Sequence, residues 1–270
     1  MKYIDIHTHA FPDALADRAI EGIAKVSGDI KPKTNGTVSD LIRSMDEDGI
    51  SVSVIANIAT KVPQFDAILN WSKTIMTDRI VPFASIHPED ASFKERIEKV
   101  VGSNIRGLKI HTFYQGHAVD DKIWFPLYDA AQETNIPILF HAGFDVAFAA
   151  LDQAHPWRFQ KVIDNFPKLN IIMAHMGGWL AYNDFLRDMC GKKVMIDTSC
   201  SAGLCPVEVA REILARHGAE NILFGSDCPW GSQKDHIRFV KDFCPDEKKQ
   251  ELIFCKNAER LLKITVPDFE

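Results

Sequence analysis

The amino terminus reads MKYIDIHTHAF, with Asp5, His7 and His9 at alternate positions of an apolar stretch. On an extended strand alternate side chains share a face, so these three fall together with Tyr3 while Ile4 and Ile6 take the other side. Burying such a polar face is costly unless a ligand or a reaction uses it. Two imidazoles on one strand offer nitrogens about 7 Å apart by the strand rise, and two ligands do not saturate a metal ion. Histidine recurs where later apolar runs end: His87 in IVPFASIH, His111 in IRGLKIHTF, His141 in IPILFHAG and His175 in NIIMAHMGG. Asp227 falls in the last run, NILFGSDCPW, and Lys109 lies two residues before His111. Six of the ten histidines therefore sit at run ends, leaving His117, His155, His217 and His236 elsewhere. Neutral imidazoles with a carboxylate are the ligand set of zinc and similar divalent ions, and a catalytic site keeps one position open for water or substrate. One such histidine would be structural; six are chemistry only if the fold brings the run ends to one point.

The elements between them supply that point. Eight runs rich in Val and Ile read as strands: 2–9, 51–59, 80–87, 105–113, 136–143, 170–178, 193–200 and 221–230. Helical patterns alternate with them. TVSDLIRSMDEDG opens on a Ser/Thr cap and ends at Gly49, and SFKERIEKVVG ends at Gly102. DKIWFPLYDAAQETN spaces its apolar residues by three and four, and PVEVAREILARHG starts at Pro206 and stops at Gly218. Eight such units without a composition break predict an α/β protein with a single (β/α)8 TIM-type barrel over residues 1–270. A doubly wound sheet is the competing topology, but no Gly-rich phosphate loop follows the first strand. Residues 10–37 are read as a long loop insertion of functional kind. In a barrel the reactive groups stand at the carboxyl ends of the strands, which is where the histidines and Asp227 are placed.

DIHTH, LFHAG, MAHMGG, LFGSDCPW and the late KNAERLL resemble, in that order, the motifs of the amidohydrolase superfamily. The likeness is closer to the branch holding aminocarboxymuconate semialdehyde decarboxylase, aromatic-acid decarboxylases and small lactone hydrolases, and it runs from the first strand to residue 262. The resemblance implies one divalent metal, Zn2+ first with Mn2+ or Fe2+ as alternatives, held by His7, His9, His141 and Asp227. It implies His175 and Asp227 as the catalytic pair, one binding the water or polarising the substrate and the other moving the proton. Lys109 implies two readings: a carbamate bridging a second metal, or an ammonium group meeting an anionic substrate or Asp5. Asp5, deeper than His7, is expected to orient a histidine or pair with Lys109 rather than bind metal.

The same residues serve two reactions. A metal-activated water would hydrolyse a small cyclic or carboxylate-bearing lactone, ester or amide. Alternatively, a small aromatic or muconate-type acid would lose carbon dioxide. Hydrolysis is the leading expectation, because the chain is short for a decarboxylase of that branch; a non-catalytic metal-binding barrel is the third reading. Phe11, Tyr114, Phe144, Trp179, Tyr182 and Trp230 follow run ends and are candidate pocket walls. Arg18, Lys25, Lys31, Lys33 and Lys61 are candidate partners of a substrate carboxylate, with a solvated surface as the plainer reading. Gly177 and Gly178 are expected to allow a tight turn. His217 and His236, on helical patterns, are expected at the surface.

Composition narrows the classes further. The chain is 46% apolar and 25% charged with a net charge of -6, and its pI near 5.9 disfavours nucleic acid or an anionic membrane as partner. Neither a secretory leader nor a membrane span is read, since Asp5, His7 and His9 interrupt the first apolar stretch. Six scattered cysteines without a CxxC pair indicate free thiols and a cytoplasmic setting, and a nucleophilic role for Cys200 or Cys228 lacks a sequence-local histidine. The expected partners are a small-molecule substrate and a second copy in a homodimer.

Overall fold

The computed structural model describes residues 1–26 and 30–266. Residues 27–29 of the long first connection and 267–270 at the end of the expected domain lie outside the described residues. Eight strands follow in order: β1 (Ile4–Thr8), β2 (Val52–Ala56), β3 (Ile80–Phe83), β4 (Leu108–Ile110), β5 (Ile138–Phe140), β6 (Ile171–Met173), β7 (Met195–Asp197) and β8 (Ile222–Leu223). All pair in parallel with their sequence neighbours, as sheets β1-β2-β3 and β4-β5-β6-β7-β8. A parallel bridge between Ala84 and Leu108 joins β3 to β4. At the other seam Ile6 N donates to the Phe224 carbonyl at 2.9 Å, and Thr8 bridges Cys228. Those two seams connect the sheets into the (β/α)8 TIM barrel that the alternation predicts.

The strands are shorter than the apolar runs that announce them. Their carboxyl ends leave the ladder for left-handed turns, with φ of 61° at His175, 49° at Cys200 and 66° at Asp227. The helices match more closely. Val38–Asp48 is capped by Thr37, whose side chain accepts the Asp40 N–H, and ends at Gly49 with φ 73°. Val207–His217 follows Pro206 and ends at Gly218. Residues 10–37 are not simply a loop: Asp13–Val26 is a helix of 14 residues. Its Leu15 and Ile23 border the central cavity while only Ala16 is fully buried, so it lacks the continuous core stripe by which helices are read from sequence.

Two apolar layers form the core. Between sheet and helices lie Ile55, Phe140 and Met173 against Leu41, Phe65 and Phe185. Inside the barrel Ile4, Ile6, Val54, Phe83, Leu139 and Ile172 pack together. Cys255, Ala258, Leu262 and Val266 join that inner cluster, so the C-terminal segment plugs the amino end of the barrel. This segment runs as Glu247–Glu251, a π turn Leu252–Lys256, and Asn257–Leu262.

The strict alternation expected of β1 fails at one point. Its pairing with β2 shifts register between Asp5 and Thr8. Ile4 and Ile6 face the barrel interior, whereas Asp5 pairs alongside Ser53 and reaches the helix Gln233–Phe243 through Gln233 Nε2 at 2.9 Å. His7, past Asp5, still turns inward. Asp5 and His7 thus occupy different sides of the strand. His217 and His236, expected at the surface, are buried. Each is a neutral bridge: His217 accepts the Gly191 N–H at 2.9 Å and donates to the Val194 carbonyl at 3.1 Å. His236 accepts the Ser201 N–H at 3.2 Å and donates to the Ser232 carbonyl at 2.7 Å.

All six cysteines are free thiols. No helix among the described residues is long and apolar enough to cross a membrane.

Candidate active site

At the carboxyl end of the barrel a cavity of about 500 Å³ narrows to a polar floor. His7 from β1 and His9 just after it, Lys109 from β4 and His111 just after it, His141 after β5, His175 after β6 and Asp227 after β8 all line it. His87 does not; its ring accepts the Glu89 N–H in the β3 loop. Among the aromatic candidates Phe11, Tyr114, Trp179 and Trp230 line the cavity, whereas Phe144 and Tyr182 do not. The cationic candidates Arg18, Lys25, Lys31, Lys33 and Lys61 are exposed and absent from the lining.

The floor is organised by Asp197, the last residue of β7. Its Oδ2 lies 2.9 Å from His7 Nδ1, and its Oδ1 accepts the backbone N–H groups of His175 at 3.0 Å and Ser199 at 2.8 Å. The Ser199 hydroxyl also donates to Asp197, leaving its oxygen to accept from the rings of His7 at 2.9 Å and His175 at 2.8 Å. These partners assign the proton of both rings to Nδ1 and turn Nε2 lone pairs into the cavity. His141 is fixed in the opposite sense, because Nε2 donates to the Phe144 carbonyl at 2.9 Å. Its Nδ1 lone pair then faces His175 Nε2 at 3.1 Å. Asp227 Oδ1 lies 3.1 Å from His9 Nε2 and 3.4 Å from His7 Nε2.

Electrostatics follow from that burial. Desolvation lowers His7 and His175 to about 4, and Lys109 and Asp197 modify the His7 value. His111 and His141 are lowered well below the ordinary imidazole value by burial, with the adjoining imidazoles and the Lys109 ammonium adding to it. Burial alone would raise Asp227 and Asp197, but His7 and the other histidines beside them hold both carboxyls low. Burial takes the Lys109 amine down to about 8, against the pull of Asp227 and Asp197. Burial and the Asp227 charge push the Cys200 thiol well above its ordinary value, which removes it as a thiolate nucleophile.

The donor chemistry fits a divalent cation. His7, His9 and Asp227 offer atoms within 4.8 Å of one another. His175 Nε2 and His141 Nδ1 face each other as lone pairs, an arrangement that a positive ion relieves. His141 adjoins the first group through His175 and also groups with His111 and Asp145. His111 stacks on His141 at 4.3 Å, points Nε2 to Asp145 Oδ2 at 3.4 Å and leaves Nδ1 buried without a hydrogen-bond partner.

Two expectations for the charged residues change. Asp5 pairs with neither Lys109 nor a histidine ring. It accepts the backbone N–H groups of His7 at 3.2 Å and Ser226 at 3.0 Å, with Ser226 Oγ at 2.5 Å and Gln233, so it ties β1 to the loop carrying Asp227. Desolvation raises its carboxyl to about 7 in spite of those donors. Lys109 instead places Nζ 3.0 Å from His7 Nε2. Asp197, Ser199 and Asp145 escaped the sequence reading. The signal for Asp197 was present: KVMIDTSC carries one carboxylate inside a buried run, the same anomaly that marks DIHTH.

Backbone shape sets the rim. His175, Met176 and Gly177 have φ of 61°, 53° and 82°, and Gly177 N and Gly178 N return to the carbonyls of Ala174 and His175. A Cβ on Gly177 would lie 2.2 Å from the Phe185 ring, so the glycine expected there for a tight turn is required. Gly143 has φ 94°, and its missing Cβ would meet Trp179 N at 2.2 Å, which lets the β5 and β6 loops lie flush beneath Trp179.

Comparisons with known proteins agree with this architecture. Decarboxylase orsB of Emericella nidulans is 29% identical over 125 residues, a match covering 38% of this chain and only 37% of that protein's length. A 2,6-dihydroxybenzoate decarboxylase superposes with a TM-score of 0.72 at 16% identity, covering 98% of this chain and 100% of its own. The 5-carboxyvanillate decarboxylase of Novosphingobium aromaticivorans, solved with manganese and 4-hydroxy-3-methoxy-5-nitrobenzoic acid, gives 0.70 at 16% identity over 97% and 96% of the two chains. A probable 2-pyrone-4,6-dicarboxylic acid hydrolase of Acinetobacter baumannii gives 0.69 at 20% identity over 98% and 100%. At these identities the superpositions speak for a shared barrel. The model of the family described as Amidohydrolase matches residues 4–264, and this chain belongs to that family.

Proposed function

We propose that this protein is a metal-dependent, non-oxidative decarboxylase of a small aromatic acid. The observation that carries the reading is the cavity: apolar and aromatic walls, including Tyr114, Trp179 and Trp230, close onto a floor of Lys109, Asp227 and the histidines. A planar ring fits between such walls, and its carboxylate meets the buried ammonium group of Lys109 beside His7. The curated relative orsB is a decarboxylase by name, which favours this reaction over the hydrolysis that chain length suggested.

His7, His9, His141 and Asp227 would hold the ion, with His175 beside it. A divalent metal there supplies a Lewis acid for the substrate's oxygens. Zinc, manganese and iron all suit this donor set, and manganese is the ion in the 5-carboxyvanillate decarboxylase structure. The protein's own groups do the rest. Asp227, ionised, accepts the proton of the substrate's hydroxyl and returns it to the ring carbon as the carbon–carboxylate bond breaks. His175 stays neutral, its ring fixed by Ser199, and its Nε2 lone pair accepts a hydrogen bond from the substrate's hydroxyl or adds to the donors around the ion. The apolar walls exclude water, which favours loss of a charged carboxylate as neutral carbon dioxide. Lys109 serves as the ammonium that orients the acid rather than as a bridging carbamate, its amine standing buried at the floor beside His7.

The test is direct. Protein loaded with manganese or with zinc is given hydroxybenzoates in one series and lactones or aryl esters in another, and carbon dioxide and acid release are followed separately. Stoichiometric carbon dioxide from a hydroxybenzoate, abolished by chelator, is the expected result. Acid release from lactones or esters with no carbon dioxide from any acid would replace this reading with hydrolysis.

A further inference from the structure

The wall opposite the floor is apolar to an extent that a single aromatic ring does not need. Leu15 and Ile23 of the helix Asp13–Val26 line this cavity together with Ile68 and Trp71 of the helix Phe65–Ile75 and with Ile30 and Ile58. Among the described residues of the lining, Lys109 is the sole lysine or arginine, and it sits at the floor. Several neutral polar atoms on that side are already engaged. Asn57 Nδ2 donates to the Phe83 carbonyl at 2.9 Å and to Ser72 at 3.2 Å. Gln64 Oε1 accepts from Lys61 N at 2.9 Å and from Thr60 at 3.2 Å. Among the described residues of that wall, no cationic side chain stands ready for a second anionic group.

Size points the same way. A cavity of roughly 150 Å³ suffices for a benzene ring, whereas this one is about 500 Å³. The lining continues to the mouth, where Leu15 and Val146 remain 43% and 44% exposed. Apolar surface held open between two helices is surface that an apolar ligand group covers.

We propose that the cavity selects an aromatic acid with a single carboxylate at the floor and an apolar substituent, an alkyl chain or second ring, lying between the helices Asp13–Val26 and Phe65–Ile75. The assignment rests on the decarboxylase reading for which end of the substrate enters first. It does not depend on that reading for the apolar arm itself.

Binding and turnover are therefore measured apart. Phenols carrying no alkyl group, methyl, propyl or pentyl cannot lose carbon dioxide, and their affinity is read by quenching of tryptophan fluorescence. Each methylene buried along the arm tightens binding by about fourfold. Ile68→Asp places a carboxylate in the arm and flattens the series. Salicylate and hydroxyisophthalate, which differ by one carboxylate, are compared as ligands of the same protein, and the dicarboxylate binds more weakly. An affinity independent of chain length, or a dicarboxylate that binds more tightly, overturns the proposal. Carbon dioxide release from the corresponding alkylsalicylates is scored separately. Release with a flat phenol series sinks the apolar arm and leaves the reaction standing, whereas a rising series without release supports the arm and removes the reaction.

Discussion

The floor and the upper wall of the cavity are built on opposite principles. Every ring and carboxylate at the floor is pinned by at least one named partner, and Asp197 alone serves His7, His175 and Ser199. The wall offers shape and apolar area, with partly exposed side chains on two helices and little hydrogen bonding. Geometry to a fraction of an ångström is needed where a proton moves, and connected hydrogen bonds supply it. Recognition of an apolar group needs only area. Substitutions at the floor should therefore be severe and chemically specific, and those at the wall mild and graded.

The contrast is sharpest at Asp227. Asp227→Asn keeps the size but removes the base, and kcat should fall by about 10²–10⁴-fold with near-normal folding by circular dichroism. A fall in kcat no larger than that of a wall variant would erase the distinction. Asp197→Asn comes next. It touches no substrate, yet loosens the His7 ring, and should weaken metal binding by about 10–100-fold in competition against a chelator. Unchanged metal affinity would show that His7 is held without it.

Acidification tests the floor through stability. His7 and His175 titrate at about 4 when folded against 6.5 in the free side chain, so between those values the unfolded chain binds more protons. Their contribution is complete above 6.5 and is lost as the pH falls toward 4. Asp5, raised from 3.8 to about 7, acts in the opposite sense, contributing most below 3.8 and losing that contribution as the pH rises to 7. The measurement is therefore the difference between wild type and His175→Gln, both metal-free. The variant's Tm should fall less steeply over this window, and parallel curves would contradict the burial assigned to His175. At the wall, Leu15→Gln should change stability by no more than about 0.5 kcal/mol. It should raise KM for an alkyl-bearing acid while leaving kcat near wild type. A loss of kcat equal to that of Asp197→Asn would mean that wall and floor are not separate.

The floor was more legible in the sequence than the wall, and the reason is physical. His7, His9, Lys109, His111, His141, His175 and Asp227 interrupt apolar runs, and a polar residue in a buried strand has few explanations. Their convergence follows once eight strand-helix units imply a barrel. Asp197 obeys the same logic but stands alone in its run, without a histidine to draw notice. The side taken by Asp5 depends on a register shift, which period-two reasoning does not contain. The helix Asp13–Val26 was hidden because part of its apolar surface faces the cavity instead of the core. His217 and His236 were misplaced because a neutral imidazole can bridge a donor and an acceptor in the interior, which residue type alone does not reveal.

The turn His175-Met176-Gly177 winds left-handed for three successive residues, a conformation that costs roughly 1–2 kcal/mol for each residue with a side chain. Two backbone bonds to one residue restrain it: His175 N to Asp197 Oδ1 at 3.0 Å and Met176 N to the Asp197 carbonyl at 2.6 Å. The other oxygen of that carboxylate carries the His7 ring. Solvent exchange of these two amide hydrogens requires the turn to come away from Asp197, and the turn cannot do so without disturbing the residue that orients His7. Their exchange rates are consequently a gauge, read on β6, of how firmly a metal ligand on β1 is held.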